Sequence, residues 1–497
     1  MQSMVETIRL APEPGGMADA EKIRSLLAAS GFERVSIPLR TLRSLPGRLK
    51  RQGYIDAVLV TGHDEWRLVD ISGISPLAAA VDLGSTNIVG ALVDTSNGET
   101  LGEKSVVNPQ TGFSEDILDR ILYSDTKMHE LHPPLIDSIN ALVASLCAGA
   151  GRSPSDVVLM TVAGNTAMGH LFLGVEATSL PVMPNNPVVH DPGFIASGEL
   201  GIRMHDDGKV YVLPNVGAFV GGDVVADILV CGMHRSDAVR MLIDVGTNVE
   251  IAVGNSDFLL VGAGAAGPAL EGGIVGHGGR ATPGAIERVS FNRQAGKLEY
   301  STVGGGRPTR ICGSGLIDLM AALFINGLID GKGRFNPENA AVVHRGDDGP
   351  AMVVAPASES ASGQEIVITE KDMDNLITSK AGMYALIHTL IGHLGIGMED
   401  IEAIYVCGAF GSYIDPRSAM AIGMLPVIPL EKIRPLGNSS LRGAAAIISD
   451  ASLLRELYRI TGRVTYIDIN TDPLFMRELP GALFIPHTDA ERFNKGG

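Results

Sequence analysis

Two aspartates in this sequence occupy the same chemical setting. Asp82 closes the apolar run Ala79-Ala80-Val81 and is followed by Leu83-Gly84-Ser85-Thr86-Asn87 and a second apolar run to Asp94. Asp244 closes Met241-Leu242-Ile243 and is followed by Val245-Gly246-Thr247-Asn248 and another apolar run to Val253. An apolar run, an acid, a glycine turn and a further apolar run read as a β-hairpin with a carboxylate where the first strand enters the turn. Glycine lets the backbone approach a ligand closely, and the Ser85 and Thr86 hydroxyls with the turn N–H groups can face phosphate oxygens. A carboxylate there repels a phosphate but suits a water-bridged Mg2+. One such hairpin is an ordinary turn. Its repetition points to a nucleotide, with Asp82 and Asp244 as metal-associated catalytic carboxylates.

Other residues carry weaker chemistry. Asp223 follows Gly221-Gly222 where a helical pattern opens, a place where aspartate serves as an N-cap. Glu250 shares the face of Asp244 if strand alternation holds. The segment Gly262-Ala-Gly-Ala-Ala-Gly267 matches GxGxxG, but Pro268 and Gly272-Gly273 stand where a dinucleotide fold opens its helix, which argues against that use. Cys312, beside Gly313-Ser314-Gly315, reads as a small packed side chain rather than a reactive thiol. His129 and His132 are expected in a surface loop with no further ligand nearby.

The elements that position these residues follow from periodicity. Residues 1–75 read as a small α/β domain and linker, with a helix over Ala20–Ala28, a basic segment containing Arg40, Arg43, Arg48, Lys50 and Arg51, and two strands. The basic segment is most simply a solvated helix face, with docking of an acidic partner as the sharper alternative. Beyond it the pattern alternates strand and helix. Helices are expected at 114–122, 135–148, 167–173, 316–324, 371–394 and 441–448, and buried strands at 157–162, 211–214 and 404–407. The 61 glycines exceed what an average composition supplies. They follow no fixed period and belong to turns and ligand-facing loops.

Composition removes several functions. The net charge of −17 argues against nucleic acid or an anionic membrane as a general partner. Cys147, Cys231, Cys312 and Cys407 are scattered singly, so no local motif builds a zinc site or an iron–sulfur cluster. Reduced thiols, no apolar leader and no long apolar run give the expectation of a soluble cytoplasmic chain.

The order of the pieces resembles the acetate/sugar kinase, heat-shock chaperone and actin (ASKHA) superfamily. The resemblance implies an α/β, actin-like ATPase fold in which two ribonuclease-H-like subdomains clamp a nucleotide, here preceded by the small domain. Expected boundaries are 76–236 for subdomain I and 237–497 for subdomain II with its C-terminal connecting helix and tail. It gives Gly84, Ser85, Thr86 and Asn87, and Gly246, Thr247 and Asn248, the place of two phosphate loops. Gly408, Ala409, Phe410 and Gly411 take the place of the adenosine loop, and Lys371 that of a residue on the adenosine-side helix. Gly164, Asn165 and Thr166 open one connecting helix, and 438–448 is the other. Asp223 then has a second reading, as the carboxylate that positions an attacking water.

A closer resemblance rests on Asp82-Leu-Gly-Ser-Thr, Asn108-Pro-Gln, Val162-Ala-Gly-Asn-Thr, Gly221-Gly-Asp, Ile243-Asp-Val-Gly-Thr-Asn-Val-Glu-Ile-Ala, Ala266-Gly-Pro-Ala-Leu-Glu-Gly, Pro283-Gly-Ala-Ile-Glu, Cys312-Gly-Ser-Gly-Leu-Ile-Asp and Cys407-Gly-Ala-Phe-Gly-Ser-Tyr-Ile-Asp-Pro. Together, from about residue 5 to near the C-terminus, they resemble the reductive activators of corrinoid proteins. That resemblance implies ATP and Mg2+ as cofactors, a corrinoid protein of a methyltransferase system as partner, and the return of Co(II) to Co(I). It also implies a homodimer. Such activators usually carry an iron–sulfur domain, and this sequence lacks its cysteines, so the expected electron source is a separate ferredoxin-like donor or a removed module. The alternatives are a small-molecule kinase on the same clamp and a nucleotide-sensing scaffold.

Overall fold

A computed structural model describes residues 2–493, apart from Pro14, His63, Asp64, Thr247, 265–273, 337–342, 347–348 and 409–412. The N-terminal segment forms a sheet of its own. Strand β1 (Val5–Leu10), helix α1 (Asp19–Ala29), β2 (Val35–Ser36), α2 (Leu39–Gln52), β3 (Ile55–Thr61) and β4 (Trp66–Asp70) give the order β1-β3-β4-β2. Its core joins Ile23 and Leu27 of α1 and Leu45 of α2 to Ile55, Ala57, Leu59 and Leu68 of the sheet.

Next come β5 (Leu77–Leu83), β6 (Asn87–Asp94), β7 (Thr100–Val107), α3 (Ile117–Gly149), β8 (Val157–Gly164), α4 (Thr166–Leu173), β9 (Gly193–Ala196), β10 (Lys209–Val212) and α5 (Gly222–Cys231). Their sheet runs β7-β6-β5-β8-β10-β9. After it follow β11 (Arg240–Val245), β12 (Val249–Gly254), β13 (Leu259–Gly264), β14 (Ala285–Asn292), β15 (Lys297–Thr302), β16 (Arg310–Ile311), α6 (Gly313–Ile325), β17 (Val343–Gly346), β18 (Gly349–Ala355), β19 (Ile366–Thr369), α7 (Glu370–Leu394), β20 (Ala403–Cys407), α8 (Pro416–Ala421), β21 (Ile433–Gly437), α9 (Ser439–Ser449), α10 (Leu453–Thr461), β22 (Val464–Ile467) and α11 (Pro473–Ala482). The second large sheet runs β21-β20-β11-β12-β13-β22.

The two large sheets share one topology. In each, three antiparallel strands (β5-β6-β7, β11-β12-β13) are extended by two parallel ones (β8 and β10, β20 and β21) on the far side of the first strand. This is the ribonuclease-H-like order, present twice, and the fold is that of an ASKHA protein. The repeated aspartate hairpins are the first two strands of each copy.

The chain divides into two compact units, Met1–Val230 with Ser439–Val464 and Cys231–Asn438 with Thr465–Gly497. The connecting helix expected within 237–497 therefore belongs with the first unit. The reason is packing. Residues Leu77, Ala79, Val81 and Leu83 join the core made with Leu135, Ile139 and Leu142 of α3, so alternation turns Ala78, Ala80 and Asp82 to the other face. Helix α9, with three successive alanines after Gly443, covers β5 and β8 there. An ideal Cβ on Gly443 lies only 2.7 Å from the Ala226 Cβ, so a small residue is needed for α9 to lie against α5. Strand β5 is an unbroken apolar run rather than an alternating one because helices cover both its faces.

A second difference concerns α3. The sequence pattern predicts two helices and a loop holding His129 and His132; helical residues run over Ile117–Gly149, broken at Lys127 (φ −121°, ψ 21°), so two helices meet there without a loop and both histidines lie on the second. Pro133 and Pro134 favour a break. The buried stripe Leu131, Leu135, Ile139, Leu142 and Leu146 overrides them. Burying each such side chain contributes roughly 1.5–3 kcal/mol. Among the described residues no helix is long and apolar enough to cross a membrane.

Candidate functional site

In the first unit the candidate residues are built around the turn between β5 and β6. Asp82 is half-buried, one residue before the end of β5, and on the face that α9 covers. The Ser440 hydroxyl, in the first turn of α9, donates to Asp82 Oδ1 at 3.0 Å. The same face of β8 presents Thr161, the register partner of Ala80, whose hydroxyl donates to the Ala444 carbonyl at 2.8 Å. Helix α9 is thus fixed to the sheet beside the carboxylate.

The turn itself is held through its carbonyls. Asn108 is fully buried; its Nδ2 donates to Gly84 O at 2.9 Å, and its backbone N–H donates to Thr86 O at 2.9 Å. Arg120, also fully buried, donates from Nη1 to Ser85 O at 2.5 Å, from Nε to Ser114 O at 2.7 Å and from Nη2 to Glu115 O at 3.2 Å. With three successive carbonyls tied, the Gly84-Ser85-Thr86 turn has a fixed frame. Asn87 is exposed at the start of β6.

Glycines bring the neighbouring segments to this turn. A Cβ on Gly84 would overlap the Asn87 carbonyl, and one on Gly164 would lie 2.8 Å from Leu83 O. A Cβ on Gly221 would overlap Gly164 O and the Asn165 backbone. The hairpin, the end of β8 and the start of α5 therefore meet at backbone contact. Asp223 stands half-buried in the first turn of α5, where its Oδ1 accepts from the Val224 N–H at 2.8 Å. Asn165 caps α4, its Oδ1 accepting from Met168 N at 2.8 Å, and the buried Thr166 hydroxyl donates to Gly217 O at 2.6 Å. Those two side chains shape the junction, and the Thr166 hydroxyl is spent on it.

The second unit repeats the carboxylate. Asp244 pairs across the hairpin with Glu250, so both lie on one face of β11 and β12, as alternation predicts. Gly408, just past β20, has φ +78°, and a Cβ there would lie 2.8 Å from Asp244 Oδ1 and 2.7 Å from Val245 O. Glycine is required on both counts, since the backbone passes directly over the carboxylate. Gly246 is exposed and donates to Asn248 O at 2.9 Å; Asn248 is half-buried. Lys371 is exposed in the first turn of α7, whose N-terminus is fixed by a Thr369–Asp372 capping box and by Gly276 N donating to Asp372 Oδ1 at 2.9 Å. Thr247, Ala409, Phe410 and Gly411, and the GxGxxG segment beyond Gly264, lie outside the described residues.

Three contributors carry no sequence signal that marks them as site residues. Asn108 is visible within Asn-Pro-Gln and Ser440 within a helix-cap pattern, but neither signal names its partner. Arg120 gives none. Cys312 is buried and its thiol contacts Ile286 O at 3.3 Å, in keeping with a packed side chain. Among the described residues no three His, Cys, Asp or Glu side chains converge on a metal position. The first hairpin presents one carboxylate and the second presents Asp244 opposite Glu250, an oxygen donor set that fits a Mg2+ sharing its other ligands with water and phosphate.

Comparison with known proteins agrees with this geometry. The family model described as the C-terminal domain of RACo, the ASKHA domain, matches residues 238–496, and that of the RACo middle region matches 77–236. The corrinoid activation enzyme RamQ of Eubacterium limosum is 34% identical over 411 residues, 80% of this chain and 68% of that protein. A Co(II) methylated amine-specific corrinoid protein reductase of Methanosarcina barkeri is 26% identical over 419 residues, 78% of this chain and 72% of the reductase. Among solved structures, a reductive activator for a corrinoid, iron–sulfur protein superposes with a TM-score of 0.91 at 33% identity, covering 99% of this chain and 81% of that one.

Proposed function

The chain belongs to the RACo family, and from that membership we propose that it is an ATP-dependent reductive activator of a corrinoid protein, returning Co(II) to Co(I) in a methyltransferase system. The observation that carries the reading is the match over 99% of the chain to a reductive activator. The two hairpins built around Asp82 and Asp244 give that match a chemical use. Each has a carboxylate at the strand end and a glycine-built turn.

We assign the Gly84–Asn87 and Gly246–Asn248 turns to ATP phosphates, with Asp82 and Asp244 holding Mg2+ through water. A Mg2+ held by these two carboxylates would supply positive charge against phosphate oxygens. Ser440 holds the Asp82 carboxylate in place, and Arg120 and Asn108 hold the turn rigid. Asp223, beside the Gly164–Gly221 contact, is assigned to the attacking water. Gly408 and the segment after it, with Lys371, are assigned to the adenosine. Reduction of Co(II) to Co(I) is uphill for physiological donors, so ATP must be coupled to a conformational step that changes the complex with the corrinoid protein. The electron comes from a ferredoxin-like protein, and the activator works in the cytoplasm as a homodimer.

The test is spectroscopic. Purified protein, a Co(II) corrinoid protein and titanium(III) citrate are mixed with and without MgATP, and Co(I) is read from the visible spectrum. Co(I) is expected only with ATP, and Asp82→Asn and Asp244→Asn are expected to abolish it. Equal Co(I) with and without ATP overturns the proposal.

A further inference from the structure

Helix α2 carries Arg40, Arg43, Arg48, Lys50 and Arg51 in fourteen residues without one acid, in a chain whose net charge is −17. Its apolar side accounts for the fold. Thr41 and Leu45 are buried, Leu49 packs on the same core, and the helix lies against β3 and β4. It ends at Gly53, whose φ of +73° and N–H to Leu49 O make a left-handed cap, and Lys50 and Arg51 suit the negative end of its dipole.

The opposite side has no such account. Arg40, Arg43 and Lys50 recur at helical spacing on one exposed stripe with Leu39, which is 61% exposed, and Pro46. The stripe from Leu39 to Lys50 is about 17 Å long at ~1.5 Å per residue. Arg40 reaches Asp206 in an exposed ion pair, whereas among the described residues Arg43, Lys50 and Arg51 have no carboxylate partner. Like charges at Arg40/Arg43 and Arg48/Arg51, each three apart, disfavour the helix. A surface of one sign with exposed apolar residues, on a body of the other sign, is how an oppositely charged protein is steered and seated. At physiological ionic strength fields reach only ~8–10 Å, so an arriving acidic protein feels this stripe rather than the distant net charge.

We propose that the exposed basic face of α2 is the docking surface for an acidic electron-carrying protein. The inference rests on the corrinoid-activator reading, in which one electron leaves the reduced cluster of the carrier and one arrives at Co(II), leaving an oxidised carrier and Co(I). Docking through a charged rim with a small apolar contact suits a carrier that must leave after each transfer.

The probe is an acidic plant-type [2Fe–2S] ferredoxin, measured for binding to the full chain at 25 mM and 300 mM NaCl. Binding is expected at low salt and at least tenfold weaker at high salt. The doubly substituted Arg43→Glu/Lys50→Glu protein is expected to bind at least tenfold more weakly, and Arg43→Ala/Lys50→Ala to fall between, with both variants folded at the temperature of the measurement. In the Co(I) assay, ferredoxin as donor should show a raised KM and an unchanged kcat in these variants. With titanium(III) citrate, which needs no docking, they keep the wild-type rate. An absence of ferredoxin binding at low salt, binding indifferent to charge reversal, or tighter capture of duplex DNA or phosphatidylserine vesicles overturns the proposal. Loss of ATP-dependent Co(I) formation with titanium in the wild type overturns the activator reading and leaves the docking measurement standing.

Discussion

Replacing Arg120 by methionine separates the frame of the first turn from its ligand chemistry. Methionine keeps much of the aliphatic length and removes three donors. The Ser114 and Glu115 carbonyls are partly accessible and can be rehydrated; the bond to Ser85 O is buried and its acceptor loses a charged donor. A bond from a charged donor contributes ~1.5–3 kcal/mol, and a buried acceptor short of a partner costs ~1–3 kcal/mol. Relief of the desolvation of a buried guanidinium offsets part of this. The net is a loss of about 2–4 kcal/mol, or a melting temperature lower by about 5–15 °C at ~2–4 °C per kcal/mol for a domain of this size. The second effect is on ligand binding. If one or two residues of the Gly84–Thr86 turn must be reordered by the nucleotide at ~1–2 kcal/mol each, affinity falls by about fivefold to nearly a thousandfold. Calorimetric titration of MgATP well below the variant's melting temperature reads this separately from stability, and Arg120→Lys, which restores one donor, should recover part of both. An Arg120→Met protein that binds MgATP within twofold of the wild type refutes the idea that Arg120 frames the turn.

Three further outcomes follow from single contacts. Gly443→Ala forces a Cβ to within 2.7 Å of the Ala226 Cβ. The gain of ~1 kcal/mol in helix propensity is outweighed by an overpacking cost of ~1–3 kcal/mol, so the urea midpoint should fall rather than rise. Ser440→Ala removes the hydroxyl donated to Asp82. One hydrogen bond contributes about 0.5–1.5 kcal/mol, so the melting temperature should fall by about 1–6 °C at ~2–4 °C per kcal/mol, and release of the Asp82 carboxylate should weaken MgATP binding by up to about tenfold. Lys380 is buried on α7 with Nζ donating to the Phe484 and Pro486 carbonyls, and burial pulls its pKa down to about 7. Between about 7 and the ordinary lysine value of 10.5 the unfolded chain binds more protons than the folded one, so this residue's contribution to stability rises with pH across that window. Comparing urea midpoints at pH 7 and pH 10, Lys380→Met should show a smaller rise than the wild type.

Both hairpins are legible in the sequence because their evidence is local. A strand that enters a glycine turn with an acid at its end is spelled in consecutive residues, and the second copy raises the reading above chance. The start of α7 is legible for the same reason, through Thr369-Glu370-Lys371 ahead of the helical pattern. Arg120 is not, because its acceptor at Ser85 is thirty-five residues away and nothing in an amphipathic helix marks one arginine as inward. That the second half of α3 starts before Pro133 and Pro134 is hidden by those prolines, whose local preference yields to a buried stripe that only the sheet makes worth burying. Asn108-Pro109-Gln110 is visible as a motif, yet the use of Asn108 needs the turn it supports.

The least legible feature is where α9 belongs. Its cap, alanines and glycine announce a helix, but nothing in 439–449 names the sheet it covers. In the structure it is pinned along its length to residues far earlier in the chain. Ser440 meets Asp82, Ala444 O accepts from Thr161, and Ile448 O accepts from the Met4 N–H and the Ser3 hydroxyl at 2.9 Å each. Ala451 N then donates to Gln2 O at 2.8 Å. One helix therefore spans from the carboxylate of the first hairpin to the leading strand of the small domain that carries the basic face of α2. The Thr161–Ala444 bond alone joins positions 283 residues apart. Such contacts form only after the intervening second unit has been synthesised, which makes this unit dependent on non-local closure. The position of Asp82 is thus set by residues from the last eighth of the sequence, and a reading that cuts the chain into consecutive domains must assign that helix to the wrong one.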